Sequence, residues 1–94
     1  MGNLRYDKMR DQNEKEIIRA LEKCGCSVFT LDVPCDLLVG RGATTLLLEV
    51  KMPAGRLTKK QREFAASWKG QYRIVTTAEE AIDYVTRLTV KNAL

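Results

Sequence analysis

The chain contains no histidine, so the commonest acid/base group near neutral pH and the commonest zinc ligand are both missing. Any catalysis must be built from carboxylates, Lys, Tyr, Cys or a hard metal ion. No apolar run approaches the roughly 18 residues that a membrane span needs. The first residues lack the apolar core of a secretory signal. Tyr6 stands where a myristoylation signal wants Ser or Thr. Cysteine is scarce and odd in number: Cys24, Cys26 and Cys35 match no Cys-x-x-Cys spacing. That pattern suits reduced thiols in a reducing, cytoplasmic compartment better than a disulfide or a zinc site. Aromatic residues make up only 6% of the chain, and Phe29, Phe64 and Trp68 are expected in the core rather than stacked on bases.

What is present is an ordinary globular balance of 45% apolar and 30% charged residues, which excludes disorder as the main state. Ninety-four residues make one domain spanning 1–94, small enough that self-association is a natural way to add buried surface. Sixteen basic against 12 acidic residues leave a net charge of +4, which permits a nucleic-acid partner without requiring one.

Residues 7–24 carry Ile17, Ile18 and Leu21 at helical spacing, with Gly25 as a stop. Glu14 shares that apolar stripe, an unusual place for a carboxylate. Strands are expected at 26–31, 36–40, 44–51 and 71–76. A second helix spans 57–69 and a third 77–88, the latter with Ala78, Ala81, Ile82, Val85 and Leu88 on one face. Thr77-x-x-Glu80 and Thr58-x-x-Gln61 both read as capping boxes. The order helix, three strands, helix, strand, helix implies an α/β layer fold with a mixed sheet.

Arg41-Gly42-Ala43-Thr44 reads as a two-residue type II′ hairpin with Gly42 at the first central position. Counting outward, Leu38 meets Leu47 and Asp36 meets Glu49. Side chains opposite each other in an antiparallel pair lie roughly 5 Å apart on one face. Lys51, two residues beyond Glu49, shares that face. Two opposed carboxylates on a covered hairpin repel each other, and desolvation makes the repulsion worse. A shared proton or an intervening cation relieves it. The plain structural alternative is a Lys51 salt bridge to Glu49 or Asp36 at a strand end. Oxygen ligands without His favour Mg²⁺ or Mn²⁺ over zinc.

Asn13-Glu14, the run Pro34-Cys35-Asp36-Leu37-Leu38-Val39-Gly40, Leu48-Glu49-Val50-Lys51 and Gly55-Arg56-Leu57-Thr58-Lys59-Lys60-Gln61 together resemble the PD-(D/E)XK nuclease superfamily. The nearest likeness is its VRR-NUC branch of small standalone nucleases, often found in phages. Cys35 stands between Pro34 and Asp36, where the family has Pro directly before the Asp. Asp32 is a weaker rival for the ligand role.

The resemblance implies a restriction-endonuclease-like αβββαβ core and metal-dependent hydrolysis of a DNA phosphodiester. It implies that Asp36, Glu49 and the Val50 carbonyl bind Mg²⁺ or Mn²⁺. The ion would polarise the phosphate and lower the pKa of an attacking water. Lys51 would orient that water or stabilise phosphoryl charge. Glu14 would reach in from the first helix toward a second metal or a water. Gln61 matches a glutamine of the family's second helix, beside its alternative role as a helix cap. Arg56, Lys59 and Lys60 form a basic cluster suited to DNA phosphates or simply to solvent.

By family analogy the substrate is branched or structured DNA such as a Holliday junction or flap, cut by a homodimer in the cytoplasm of a bacterial or phage-infected cell. Three readings compete. They are a restriction-type or junction-resolving nuclease of another branch, a nucleic-acid-binding module with a degenerate site, and a plain α/β interaction domain.

Overall fold

The computed structural model describes residues 4–93, with side chains from 8 to 91. Helix α1 (Leu4–Lys23) begins three residues before its expected start. Ile17 and Leu21 on its inner face are fully buried. The helix stops in a Schellman arrangement. Gly25 takes a left-handed φ of 85°, its N–H donates to Glu22 O at 3.0 Å, and the Cys26 N–H donates to Leu21 O at 3.1 Å. The chain is thereby turned back toward the sheet.

Strands β1 (Ser27–Thr30), β2 (Leu37–Arg41), β3 (Thr44–Val50) and β4 (Tyr72–Val75) form one mixed sheet in the order β1-β2-β3-β4. The first three run antiparallel, and β4 lies parallel to β3. A parallel neighbour needs a crossover, supplied by α2 (Lys59–Ser67). The last helix, α3 (Ala78–Ala93), runs five residues past its expected end. The fold is therefore α/β with helices flanking a four-stranded mixed sheet, compatible with an αβββαβ core.

The hairpin follows the expected register: Arg41 pairs with Thr44, Leu38 with Leu47 and Leu37 with Leu48. Gly42 has φ 61° and Ala43 has a negative φ, as a type II′ turn requires. Alternation then divides the sheet. Leu37, Val39, Leu46, Leu48, Val50 and Val75 point to one face and pack with Ile17 and Leu21 of α1 and Ala81 and Val85 of α3. Asp36, Leu38, Leu47, Glu49 and Tyr72 belong to the other face.

Helix α2 covers only part of that second face. Its capping box is complete: the Gln61 N–H donates to Thr58 Oγ1 at 3.2 Å, and the Thr58 N–H donates to Gln61 Oε1 at 2.9 Å. None of its residues is buried. Phe64 is its main contact, with ring centroids 5.3 Å from Trp68 and 5.2 Å from Tyr72. Among the described residues no helix is long and apolar enough to cross a membrane.

Two expectations need correction. Phe29 and Trp68, expected in the core, are 66% and 47% exposed. β1 is an edge strand whose outer face no helix covers among the described residues, and Trp68 sits past the end of the lightly docked α2. The Thr77 box closes on one side only. The Glu80 N–H donates to Thr77 Oγ1 at 3.1 Å, but the Glu80 carboxylate takes the Thr76 hydroxyl instead of the Thr77 N–H.

Candidate active site

The bend preceding β2 sets the position of Asp36. The Leu31 N–H donates to Asp36 O at 2.7 Å, extending the β1–β2 ladder by one pair. The side chain continues the next ladder in turn, because Asp36 Oδ2 accepts the Val50 N–H at 2.7 Å. β2 has already departed there, so the carboxylate satisfies a strand N–H that would otherwise lack a partner. This fixes one carboxylate oxygen against β3 and leaves the other for further contacts.

Glu49 is only 1% exposed, and its Oε2 is buried without a hydrogen-bond partner among the described residues. Burial pushes its pKa up to about 8; hydrogen bonding to Asp36 and the Asp36 charge add to this, while Lys51 and Arg10 oppose it. Protonated, Glu49 can donate to Asp36. Ionised, the two repel in a poorly solvated place. The expected pairing of Asp36 with Glu49 is thus present, and it carries an electrostatic cost.

Lys51 follows β3 directly, and its N–H donates to Val75 O at 3.0 Å, so its backbone remains tied to the sheet. Its ammonium acts on Glu49 electrostatically. No ion pair within 4.0 Å joins it to either carboxylate among the described residues, so the plain salt-bridge alternative is not formed. Glu14 lies on α1 where Asn13 Nδ2 donates to Thr76 O at 2.8 Å, which fastens this helical turn to the end of β4. Burial raises the Glu14 pKa, and the Asp36 charge raises it further. Glu14 therefore senses Asp36 without completing a cage. Among the described residues no three Asp, Glu, Cys or His side chains are grouped to hold a metal ion. The site is a carboxylate pair with a third carboxylate behind it.

The carboxylate pair, without Glu14 or Lys51, lines a cleft of about 370 Å³ between the 32–36 bend and the start of α2. Asp36 and Glu49 lie in it with Val33, Pro34, Lys60 and Gln61. A larger cleft of about 510 Å³, beside Met9, Asn13 and Met52, contains none of the three carboxylates. Gln61 lines this cleft, and its Oε1 accepts the Thr58 N–H in the helix cap. Lys60 lines the cleft, Arg56 is exposed on the preceding loop, and Lys59 pairs with Glu63 at 3.9 Å on the surface. Asp32 also reaches the cleft, but from an exposed position without the strand contact that Asp36 makes.

Three neighbours were not singled out as site residues by sequence reasoning. Arg10 opposes the raised pKa of both Glu14 and Glu49. Its place one helical turn before Glu14 was the available signal. The Cys35 thiol is buried, reaches Leu37 O at 3.9 Å, and has its pKa pushed up to about 11 by burial and then by Glu49. Cys35 is thereby packed between Pro34 and Asp36 with its sulfur turned to a backbone carbonyl. Tyr72 is pushed up to about 12 by burial and then by the Glu49 charge.

The donor set fits a hard divalent cation. Among the described residues it consists of carboxylate oxygens, one of them a buried oxygen without a hydrogen-bond partner, with no imidazole or thiolate competing. No protein-family model, curated protein or solved structure matches the chain.

Proposed function

We propose that the chain is a divalent-metal-dependent DNA endonuclease of the PD-(D/E)XK type, nearest in kind to the VRR-NUC branch. The observation that carries the proposal is the fully buried Glu49, with one oxygen unpartnered among the described residues, set against Asp36 at the floor of an open cleft. A purely structural role would select a neutral residue at 49, since an uncompensated buried carboxylate is costly.

Asp36, Glu49 and the Val50 carbonyl would hold Mg²⁺ or Mn²⁺, with Glu14 behind them. When bound, the cation supplies positive charge that polarises a phosphodiester and makes a neighbouring water more acidic. The Val50 N–H holds the Asp36 carboxylate in place and so orients that ligand. Lys51, on a backbone tied to β4, presents an ammonium to the charge that builds on the phosphoryl oxygens. Lys60 and Gln61 line the opposite wall and bind or orient the strand; Arg56 and Lys59 extend the cationic surface outward.

Branched or flapped DNA as substrate, a homodimeric assembly and a cytoplasmic setting belong to the same proposal. An uncharged outer strand, Ser27–Thr30, supports pairing of two copies, because sheet edges that stay solitary are commonly guarded by charge.

The test is cleavage mapping. Purified protein is incubated with linear, nicked, flapped and four-way DNA in Mg²⁺, Mn²⁺, Ca²⁺ or chelator. Cuts that require Mg²⁺ or Mn²⁺ and vanish in Asp36→Ala are the expected result. Binding without cuts under every condition would favour the degenerate binding module instead.

A further inference from the structure

Among the described residues of α1, Arg10 is the only basic one that is not exposed. The helical period puts it in line with Ile17 and Leu21, which lie fully buried over the sheet. Asn13 Nδ2 donates to Thr76 O at 2.8 Å, just past the end of β4. Arg10 is nearly one turn closer to the start of α1, so its backbone lies about 5 Å along the helix from that bond, past the end of the sheet. Its Nε is buried without a hydrogen-bond partner among the described residues. Its ion pair there is with the adjacent Asp11, at 4.0 Å. The plain alternative is an i,i+4 pair with Glu14. Among the described residues it is not formed within 4.0 Å, and neither Asp36 nor Glu49 takes the guanidinium within that distance. The Arg10 charge nevertheless acts on both Glu14 and Glu49.

We propose that Arg10 binds a backbone phosphate of the DNA strand on the α1 side of the carboxylate pair. A guanidinium presents its N–H donors as a planar fork that matches phosphate oxygens. Here the fork is set beside three carboxylates and forms an ion pair with none of them, so its donors stay open to an anion from outside. A buried donor without a partner costs free energy, and a phosphate oxygen relieves that cost. Lys51 leaves β3 at the same end of the sheet, with its N–H on Val75 O. Lys51 shares the second face with Glu49, whereas α1 packs on the first. The two cations therefore come to the carboxylates from opposite faces, and a strand crossing the end of the sheet passes between them. The inference rests on the nuclease reading for the place of that strand, but the phosphate contact is measured separately from cleavage.

Fluorescence anisotropy with the full chain and a fluorescein-labelled DNA flap, in fixed Ca²⁺ over a range of salt, tests the contact. Arg10→Gln should bind about tenfold more weakly, as loss of a charged hydrogen bond implies. Its log–log salt slope should fall by about 0.7–0.9, the loss of one phosphate contact. Arg10→Lys keeps the charge and should keep the slope, but should bind about threefold more weakly for want of the fork. Lys8→Gln, two residues away on the opposite, exposed side of α1, should leave affinity and slope unchanged. Circular dichroism should report a folded domain in all three variants. An unchanged slope in Arg10→Gln, or an equal fall in Lys8→Gln, would overturn the contact; cleavage by wild type in Mn²⁺ would then leave the nuclease reading standing. A slope that falls only in Arg10→Gln, with no cleavage by wild type in any cation, would keep the contact and sink the nuclease reading.

Discussion

The two faces of the sheet are built on opposite principles. On one, α1 and α3 cover β2, β3 and β4 with aliphatic side chains, among them Leu37, Val39, Leu48 and Val50, all fully buried. On the other, α2 contributes no buried residue, and a carboxylate pair sits between Phe64 and the 32–36 bend. Stability is concentrated on the first face, which leaves the second able to hold Glu49 in a state that costs free energy. Adjacent residues of one strand, Leu48 and Glu49, thus serve different ends.

The largest expected effect is on the carboxylate face. Glu49→Ala or Asp36→Ala should lower cleavage by about a thousandfold or more, since each would remove a ligand of the proposed cation, while circular dichroism reports a folded domain. Glu49→Ala tests the contrast most sharply, because its neighbour should do the reverse. Leu48→Ala should cost about 2–5 kcal/mol in denaturant unfolding, and at temperatures where it stays folded should keep the turnover of wild type. If Leu48→Ala and Glu49→Ala moved the same quantity, the division of labour would fail. Lys51→Ala should reduce turnover about a hundredfold with little change in cation affinity, measured by single-turnover kinetics against a cation titration.

A pH experiment sharpens the same comparison. The Glu49 pKa rises from its ordinary 4.5 to about 8 in the folded chain. The folded state therefore keeps a proton that the unfolded state releases. The stability linked to this group is complete below pH 4.5 and is lost as pH rises toward 8. In chelator, Glu49→Gln should thus stabilise the domain at pH 8 by about 1 kcal/mol or more and leave it nearly unchanged at pH 4.5. The smallest effect belongs to the rim. Neutralising Arg56, Lys59 and Lys60 together should flatten the salt dependence of DNA binding by up to about 2.7 in log–log slope. An unaltered slope would return all three to the solvated surface.

Much of the covered face was legible in the sequence. Alternation in 37–50, a glycine at the turn and the 3.6-residue periods of Ile17–Leu21 and Ala81–Val85 are local signals, and they fix register without knowledge of the rest. The opposition of Asp36 and Glu49 followed from that register. The Asp36 bond to the Val50 N–H did not, because a side-chain rotamer depends on where β2 departs. Exposure of Phe29 and Trp68 was equally hidden. An apolar residue in a strand or helix looks the same whether or not a neighbouring element arrives to cover it, and the extent of α2 docking is a tertiary fact. Arg10 was hidden for a related reason: its influence on Glu49 arises where α1 crosses the end of the sheet, far away in sequence.

The central claim is that the Asp36–Glu49 pair is completed by a divalent cation, and thermal unfolding at pH 8 with and without Mn²⁺ addresses it directly. At cation near a hundred times its dissociation constant, binding to the folded state alone adds about 2.7 kcal/mol. In a domain of this size that raises the wild-type melting temperature by roughly 10 °C or more, and Glu49→Gln with Asp36→Asn should abolish the rise. An identical melting temperature with and without Mn²⁺, or an equal rise in the double variant, would contradict the account.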